Sequence, residues 1–564
     1  MDREKELAED IKLQLEHLKD ERHKREADWK NVQELVAPSV VSFDPAEKIP
    51  ARPNRFTSRP TNYLKTLVSG ITGYSISPNI VWQKLGLENA EQLDLYGVKD
   101  WLEAVERVLY AEFNRSNLYK QVPGMIASAA AYGHGVMLID EDVGNSRLRF
   151  TSLSVPELYL DTNEYDEVET VYRRFTMTLG NAARFFGLEN LAGNLRQDHE
   201  DRRKRNNEIT VIHAVYRRED YDEEKPDAKH MPFASLYIDE GNDHLIRESG
   251  YREFPYAVFV WDKIGGAAYG ESPAIYALDD IRLLNLAEES RIKIAQMSAE
   301  PAMNVPSTMK GSENVVPRGY NYYENPEEVM SVIQTGENYP ISLEVVASIE
   351  DRIKDWFHVD FFLMLQSQSR QGRTQMTATE VVELQGEKAA VLSDLVVNLN
   401  EPLQKIIQRS FNLLLKQRKI PPIPDILRES GALLKVDFIG PLAQAQKKHH
   451  ETGGIAQGIA LIGSVANMAA AAPPALAALD VVDFDRLVKA GLEGAGTPQN
   501  IIREDDDIAA IREARARAEA QAQQQALALE EQKNILGNFN KLNEPLKQGT
   551  ALEAMGQQMA GGGA

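Results

Sequence analysis

The sequence predicts an α+β, mainly helical fold, and three observations support this class. Apolar residues recur every three or four positions near the N-terminus and in several long segments after residue 267, which is the period of an amphipathic helix. Between about 120 and 265 the pattern changes to short runs rich in β-branched and aromatic residues. The composition, with 43% hydrophobic and 26% charged residues among 564, is typical of folded domains.

The first element is an amphipathic helix over residues 3–37. Its middle, KDERHKRE, is strongly charged, and Pro38 ends the pattern because the residue before a proline is disfavoured in helical conformation. The apolar positions are Leu7, Ile11, Leu15, Leu18, Trp29, Val32 and Val36. A second helical pattern, VKDWLEAVERVLYAEFNRSN, predicts a helix over 98–117.

Six short runs predict strands in the region that follows. They are bounded by turn residues and enriched in residues that favour a pleated sheet. In chain order they read GVMLID, LRFTSL, ETVYRRFTMT, EITVIHAVYRR, ASLYID and YAVFVWD. With the two helices they predict an α+β body domain over 1–266.

Two long apolar helices are predicted on either side of an irregular segment. The first occupies 267–299, where Ser272 and Pro273 resemble a helix start and Pro301 stops the pattern. Its apolar stripe consists of Leu278, Ile281, Leu284, Ile292 and Ala295. Residues 300–342 are rich in Pro, Gly and Asn, and a second apolar helix follows over 343–365. This order predicts two antiparallel helices with a small β-rich cap at their far end.

A polar loop follows the second helix, in the stretch QSQSRQGRTQMTATEV (366–381). Thr377 and Glu380 form the S/T-x-x-E pattern of a capping box. The next helix is therefore expected to run from Ala378 to about Lys416, with a kink at Pro402. The loop at 366–376 is either a plain solvent-exposed connection or a functional loop, and both interpretations fit its position between two long elements.

The remaining segments predict further helices. Within the Ala- and Gly-rich region 448–500, residues 455–479 are the candidate membrane span, but their polar residues and the pair Pro473 and Pro474 favour soluble helices packed through small residues. Residues 505–534 are rich in Ala, Glu, Gln and Arg and form helices readily. This helix either joins a helical barrel or stands alone in solvent, and the final GQQMAGGGA is expected to be flexible.

Composition and motif searches exclude several function classes. The 63 basic and 85 acidic residues give a net charge of −22, which argues against simple wrapping of nucleic acid. The absence of cysteine excludes disulfides and thiolate chemistry, and the charged start MDREKELAED predicts no secretory signal. No phosphate-binding loop, H-E-x-x-H or G-x-S-x-G pattern occurs.

The histidines and the acidic cluster are interpreted as structural. His449 and His450 suit a solvated helix face, the EDDD cluster at 504–507 suits a helix start, and His134 in YGHGVML suits the entry to a strand. We therefore predict no catalytic residue, no metal site and no cofactor. The alternative is a monomeric or dimeric nucleic-acid enzyme whose carboxylates leave no motif, which predicts metal-dependent turnover.

Eight stretches, in order over nearly the whole chain, resemble the portal or head-to-tail connector proteins of short-tailed (podovirus-type) bacteriophages. They read WKNVQELVAP (29–38), LVSGITGYSISPNIVWQKL (67–85), WLEAVERVLYAEFNRSNLY (101–119), AAYGHGVMLIDED (130–142), DEVETVYRRFTMTLGNAARFFG (166–187), FPYAVFVWDKIGGAAYGESPA (254–274), MTATEV (376–381) and FIGPLAQAQKK (438–448). None of these stretches is a catalytic signature. The resemblance rests on their occurring together, in this order, over nearly the whole chain. Beyond about 500 the chain resembles the family only in being helical and polar.

The resemblance implies a portal-type fold and a ring, usually of twelve copies, at one capsid vertex of the virion, assembled in the host cytoplasm. Double-stranded DNA would move through its axis without sequence-specific readout. The implied parts are an α+β wing (1–266), two stem helices (267–299 and 343–365), a clip (300–342), a tunnel loop (366–376), a long kinked helix returning to the wing (377–447), a helical crown (448–500), and a C-terminal helix or barrel with a flexible tail (501–564).

The implied partners are proteins of phage assembly, with no membrane. A terminase large subunit would supply the energy and dock on the clip, and a tail adaptor protein would replace it after packaging. Major capsid and scaffolding proteins would surround the ring. An elongated scaffold or ejection protein of the virion is the alternative; it shares the helices and the acidity but does not explain the β-rich cap and the capped polar loop.

The tunnel loop is the predicted contact with DNA. An acidic ring repels DNA on average, which keeps sliding friction low, while sparse cations give transient phosphate contacts. Arg370 and Arg373 are the two cations of the loop; alternatively, both pair with carboxylates of the adjacent subunit. The predicted channel residues are Gln366, Ser367, Gln368, Ser369, Arg370, Gln371, Gly372, Arg373 and Thr374.

Overall fold

The computed structural model divides the chain into two compact units, Met1–His450 and Glu451–Ala564. In the first it describes residues 2–39, 41–43, 54–89, 97–142, 144–222, 225, 227–299, 303–304, 331–332, 343–363, 393–430 and 434–441. In the second it describes helical residues at 508, 511–522, 524–525, 529 and 533, and the side chains of 512–522 are exposed. All elements named below belong to the first unit.

Helices dominate the described part of the first unit. They are α1 (Asp2–Leu35), α2 (Arg59–Ser75), α3 (Val98–Arg115), α4 (Leu118–Tyr132), α5 (Leu179–Phe186), α6 (Gly193–Glu200), α7 (Pro273–Tyr276), α8 (Leu278–Ala299), α9 (Leu343–Trp356), α10 (Ser393–Lys416) and α11 (Asp425–Ser430). The fold thus combines helices and sheets, as the predicted α+β class requires.

The strands form four antiparallel groups among the described residues. They are β1 (Gln83–Leu87), β2 (His134–Asp142), β3 (Arg147–Ser152), β4 (Leu158–Thr162), β5 (Val168–Thr178), β6 (Glu208–Arg217), β7 (Phe233–Asp239), β8 (His244–Tyr251), β9 (Tyr256–Val260), β10 (Met303–Asn304), β11 (Ser331–Val332) and β12 (Leu434–Phe438). The groups are β1-β12, β10-β11, β3-β2-β9 and β4-β5-β6-β7-β8.

The five-stranded sheet carries helices on both faces. Alternate side chains of a strand point to opposite faces of the sheet. On one face, Ile212 and Ala214 of β6 pack with the first half of α1. On the other face, Ile209 and Val211 of the same strand pack with α5 and α6, which form an insertion between β5 and β6. This sheet is therefore the middle layer of a three-layer region.

The main hydrophobic core lies between the three-stranded sheet and the helices α2, α3, α4, α8, α9 and α10. Trp82 is fully buried in it, stacked on Phe113 and Phe438 at centroid distances of 6.1 and 6.5 Å. The pairing of β1 with β12, with Gln83 opposite Phe438, brings residues near 85 and near 436 together. Long-range pairing of this kind joins the start and the end of the first unit.

The helix predicted over 3–37 is confirmed as α1, but its charged middle is not wholly a solvent face. Arg22 is fully buried and continues the apolar stripe between Leu18 and Trp29. Its Nη1 donates a hydrogen bond to the carbonyl oxygen of Leu158 at 2.9 Å, and its Nε lies 2.9 Å from Glu26 Oε1. A buried guanidinium thus ties α1 to the body.

The six predicted strand runs and the helix over 98–117 are confirmed, whereas β1, β4, β8 and β12 were not predicted. Strands β4 and β8 are the two edges of the five-stranded sheet, and β1 and β12 form a separate pair. Strands β1, β4 and β12 are only five residues long, and β8 mixes polar with apolar residues, so none of the four sequences shows a strong strand pattern.

Two helix predictions need correction. The helix that begins at Ser272 is interrupted at Ala277 between α7 and α8, and the helix predicted over 343–365 ends at Trp356. A turn follows at 357–358, where His358 has a φ of 48°, before helical residues 359–363. Phe357 and Val359 are both buried. They would face opposite sides of one straight helix, and the turn allows both to reach the core.

Candidate functional site

The predicted tunnel loop lies between two chain segments that are packed in the core, one ending at residue 363 and the other beginning at residue 393. Gln366 to Thr374, Thr377 and Glu380 all fall in 364–392, outside the described residues. Phe362, just before this segment, is buried and stacks on Tyr74 of α2 at 6.5 Å. On the other side, Asn398 of α10 donates from Nδ2 to the carbonyl oxygen of Trp261 at 2.9 Å. Both ends of the loop segment are therefore held by the same core.

Helix α10 is the described part of the helix expected from Ala378. It ends at Lys416, as predicted, and contains Pro402 within its helical span; the kink there stays a prediction. Leu399, Leu403 and Ile406 recur at helical spacing and are buried. Arg409 is also buried, and its Nε donates to the carbonyl oxygen of Ile139 at 2.8 Å. The helix is thus fixed along its length against the three-stranded sheet.

Helices α8 and α9 form the predicted antiparallel pair. The Ser272 Oγ accepts a hydrogen bond from the Ile275 amide at 3.1 Å, which confirms the predicted helix start. Tyr276, just before α8, stacks on Trp356 at the end of α9 with a centroid distance of 5.1 Å. One turn further, Arg352 Nη2 donates to Asp280 Oδ1 at 2.6 Å. Early residues of one helix meet late residues of the other, as antiparallel packing requires.

The inner faces of this pair are apolar and buried. On α8 they comprise Leu278, Ile281, Leu284 and Ala287, and on α9 they comprise Val346, Ile349 and Ile353. The predicted stripe was right as far as Leu284, but Ile292 and Ala295 are exposed. The apolar pattern of α8 thus extends beyond the core that the described residues form.

A second apolar face runs along α8. Leu283 and Leu286 are 47% and 58% exposed, and Ile294 is 44% exposed. At 3.6 residues per turn these three positions fall within about a quarter of a turn of one another and face away from the centre of the buried stripe, on a side that they share with Asp279 and Ser290. Exposed apolar side chains along a helix suit contact with a further surface, which the described part of this chain does not provide.

The charges on the helix pair are locally compensated. In the described residues every Lys and Arg of α8 and α9 has a carboxylate partner within 4.0 Å: Arg282 with Asp279 and Asp28, Arg291 with Glu288, Lys293 with Glu289, Arg352 with Asp280, and Lys354 with Asp351. The neighbouring Asp280 carboxylate raises the pKa of Arg352. This pair of helices therefore offers apolar contact rather than unpaired cations.

The segment between α8 and α9 contains a strand pair where a small β-rich cap was expected. Met303 lies opposite Val332 and Asn304 opposite Ser331, in antiparallel register. The other residues of 300–342 lie outside the described part of the chain.

Two histidines are buried in the body. His134 is the first residue of β2, as expected from its sequence context, and burial together with nearby Arg22 lowers its pKa to about 3. Burial also lowers the pKa of His213 to about 3. The Nε2 of His213 lies 3.0 Å from Ser235 Oγ, and Tyr256 OH lies 3.2 Å from its Nδ1. This network joins the two larger sheets and is closed to solvent.

The other sequence features are only partly covered by the described residues. His449, His450, the cluster at 504–507 and the candidate span 455–479 all lie outside them. Within the described residues, no three or more His, Asp or Glu side chains are grouped as a metal site. None of the described helices is both long and apolar enough to cross a membrane.

Comparison with known proteins assigns the family. The family model described as "Bacteriophage head to tail connecting protein" matches residues 8–502. The portal protein of Salmonella phage epsilon15 is 29% identical over 521 residues, covering 89% of this chain and 90% of that protein. The probable portal protein of Bordetella phage BPP-1 is 28% identical over 509 residues, covering 88% and 89%. The chain therefore belongs to the bacteriophage head-to-tail connecting proteins, as its sequence resemblance indicated.

Proposed function

We propose that this protein is the phage portal: a ring of identical subunits at one capsid vertex that conducts double-stranded DNA during packaging and ejection. The family assignment supports a connector between head and tail. The observation that carries the ring is the second apolar face of α8, formed by Leu283, Leu286 and Ile294. Contacts between unlike surfaces of identical subunits close into a ring when the rotation allows it.

In this proposal the anchored segment 364–392 supplies the channel loop. Its ends are held by Phe362 and by α10, so that the loop can project while its base stays fixed. Arg370 and Arg373 make transient contacts with passing phosphates. The net charge of −22 per chain repels DNA elsewhere and limits friction.

The remaining parts take the roles that the sequence resemblance implies. The body over 1–266 is the wing, α8 and α9 are the core of the stem, and 300–342 is the clip. Residues 448–500 form the crown. The clip receives the terminase motor during packaging and a tail adaptor afterwards, and capsid and scaffolding proteins contact the outside of the ring.

Electron microscopy of the purified full chain in negative stain tests this proposal. Rings with a central hole, usually of twelve subunits, are expected over a range of salt concentrations. Compact monomers or filaments under all conditions would contradict it. Those outcomes would call for an assay of metal-dependent nuclease activity, which the alternative enzyme predicts.

A further inference from the structure

The two-helix insertion between β5 and β6 presents an exposed basic surface on an acidic protein. It consists of α5, α6 and the 3₁₀ turn Lys204–Asn206, and it packs on the sheet through Leu179, Phe186 and Leu195. Its six cations are all exposed and outnumber its four carboxylates, Glu189, Asp198, Glu200 and Asp201; the cations are Arg184, Arg196, Arg202, Arg203, Lys204 and Arg205.

Most of these cations lack a local partner. Lys204 Nζ lies 2.6 Å from Asp198 Oδ1, and Arg205 Nε donates to the carbonyl oxygen of His199 at 2.7 Å. Within the described part of the chain, Arg184, Arg196, Arg202 and Arg203 form no ion pair. Four exposed guanidinium groups therefore remain available to an anionic surface.

An acidic cleft of 720 Å³ lies between the first half of α1 and the sheet. Three cations line it, but Arg3 and Arg218 pair with Glu248, and Arg217 pairs with Glu169. The carboxylates of the lining that have no ion pair among the described residues are Glu6, Asp10, Asp161, Glu219 and Asp220. The cleft thus has an excess of negative charge that the described part of the chain does not neutralise.

The two surfaces point in different directions. The insertion joins the end of β5 to the start of β6 at Glu208, whereas the cleft is lined by Tyr216 and Arg217 at the end of β6. A strand of this length spans about 30 Å. The insertion packs on the face that bears Val211, and α1 packs on the face that bears Ile212. The basic insertion and the acidic cleft therefore lie at opposite ends of β6 and on opposite faces of the five-stranded sheet. This arrangement suits contact between neighbouring subunits.

We propose that the basic insertion of one subunit docks on the acidic cleft of the next copy of this chain, as the electrostatic contact between neighbouring wings of the ring. This inference rests on the proposed ring and names one of its interfaces. Complementary charge favours one relative orientation of neighbouring subunits, in which the insertion meets the cleft. It disfavours contact between two insertions or between two clefts. Because both surfaces belong to one chain, the contact repeats around the ring.

Charge reversal on full-length chains tests the proposal. One variant combines Arg202→Glu with Arg203→Glu, and the other combines Glu219→Lys with Asp220→Lys. Each variant alone is expected to need at least about tenfold more protein to form rings, measured by sedimentation velocity without nucleic acid, because like charges then meet at the interface. An equimolar mixture is expected to recover ring formation, since each variant then faces a complementary neighbour.

The control is Arg147→Glu with Arg149→Glu, which makes the same charge change at exposed positions of β3 and is expected to assemble as the parent does. If both reversal variants also form rings as the parent does, or if the mixture fails to recover, the wing contact is wrong while the ring stands. If the arginine variant assembles normally but loses affinity for duplex DNA, the insertion binds nucleic acid and the proposal is overturned. A parent that forms no ring overturns both proposals.

Discussion

The ring of Phe362 lies so close to Gly70 of α2 that a Cβ at this glycine would overlap it. Phe362 is fully buried one residue before the end of the helical segment 359–363, so it cannot swing away. This contact fixes the base of the segment in which the tunnel loop is predicted.

The Gly70→Ala substitution is expected to lower the free energy of unfolding by about 1–3 kcal/mol, because an added methyl group overpacks a filled core. Gly73→Ala in the same helix is the matched control: its Cβ would meet no atom within 4 Å. The control is expected to stabilise the protein by about 0.5–1 kcal/mol through helix propensity. Denaturant titration measures both. Equal effects of the two substitutions would show that the Gly70 contact is not tight.

The Arg22→Ala substitution is expected to cost about 1–3 kcal/mol of folding free energy, because it removes a buried guanidinium that pairs with the partly exposed Glu26 and leaves the Leu158 carbonyl oxygen without its donor. Lys24→Ala, on the exposed side of α1, is expected to change stability little. Thermal unfolding of the two variants separates them. If Arg22→Ala is as stable as Lys24→Ala, the contacts of Arg22 with Glu26 and Leu158 do not contribute measurably to the stability of the fold.

The pH dependence of stability should reflect the two buried histidines. Their folded-state pKa is lowered to about 3, whereas an unfolded histidine titrates near about 6.5. Between these values the unfolded chain binds more protons, so stability falls as pH falls, by up to about 1.4 kcal/mol per histidine for each pH unit. Above about pH 6.5 both states are neutral at these sites, and the contribution is constant.

Urea unfolding at pH 5 and pH 7 checks this expectation. The His213→Gln variant should be less stable than the parent but should show a smaller loss between the two pH values. The exposed His17→Gln is the control, and it should keep the parent's pH dependence. A His213→Gln variant with an unchanged pH dependence would contradict the assignment of a neutral buried histidine.

The exposed face of α8 should be required for assembly. Leu283→Asp with Leu286→Asp is expected to raise the protein concentration needed for rings by at least about tenfold, because two charges would be buried without partners. Leu13 of α1 is 74% exposed, and Leu13→Asp is expected to assemble normally. Mass photometry over a dilution series compares the variants. If the double variant forms rings at the same protein concentration as the parent, this face of α8 is not the contact between subunits.

If the predicted tunnel loop contacts DNA, it is expected to act through its two cations, Arg370 and Arg373. Arg370→Ala with Arg373→Ala is expected to reduce genome packaging or retention by about tenfold, which corresponds to the loss of one charge-assisted phosphate contact. Gln368→Ala with Gln371→Ala changes the same loop without changing its charge and should have a smaller effect. Counting filled and empty particles in a phage complementation assay measures this. Unchanged packaging and retention in the arginine variant would favour pairing of both arginines with carboxylates.

The sequence by itself determined the elements with a strong repeating pattern. The helix over 3–37 and the strands containing GVMLID and EITVIHAVYRR were predictable because one buried face imposes a period of 3.6 or 2 residues on apolar positions. The start at Ser272 was predictable because a capping hydroxyl acts within a few residues of its own position. Family membership followed from the order of matching segments along the chain.

Only the tertiary structure decided which side chains are buried and which residues contact them. Arg22 lies within a charged run, and its burial depends on Leu158 and Glu26, of which the first is distant in sequence. The interruption at 357–358 and the pairing of β1 with β12 likewise depend on the shape of the core. Leu283 and Leu284 are adjacent leucines, yet one is exposed and the other buried. The local sequence shows that a residue is apolar. The residues that bury it come from distant parts of the chain or from another copy, so they depend on the tertiary structure.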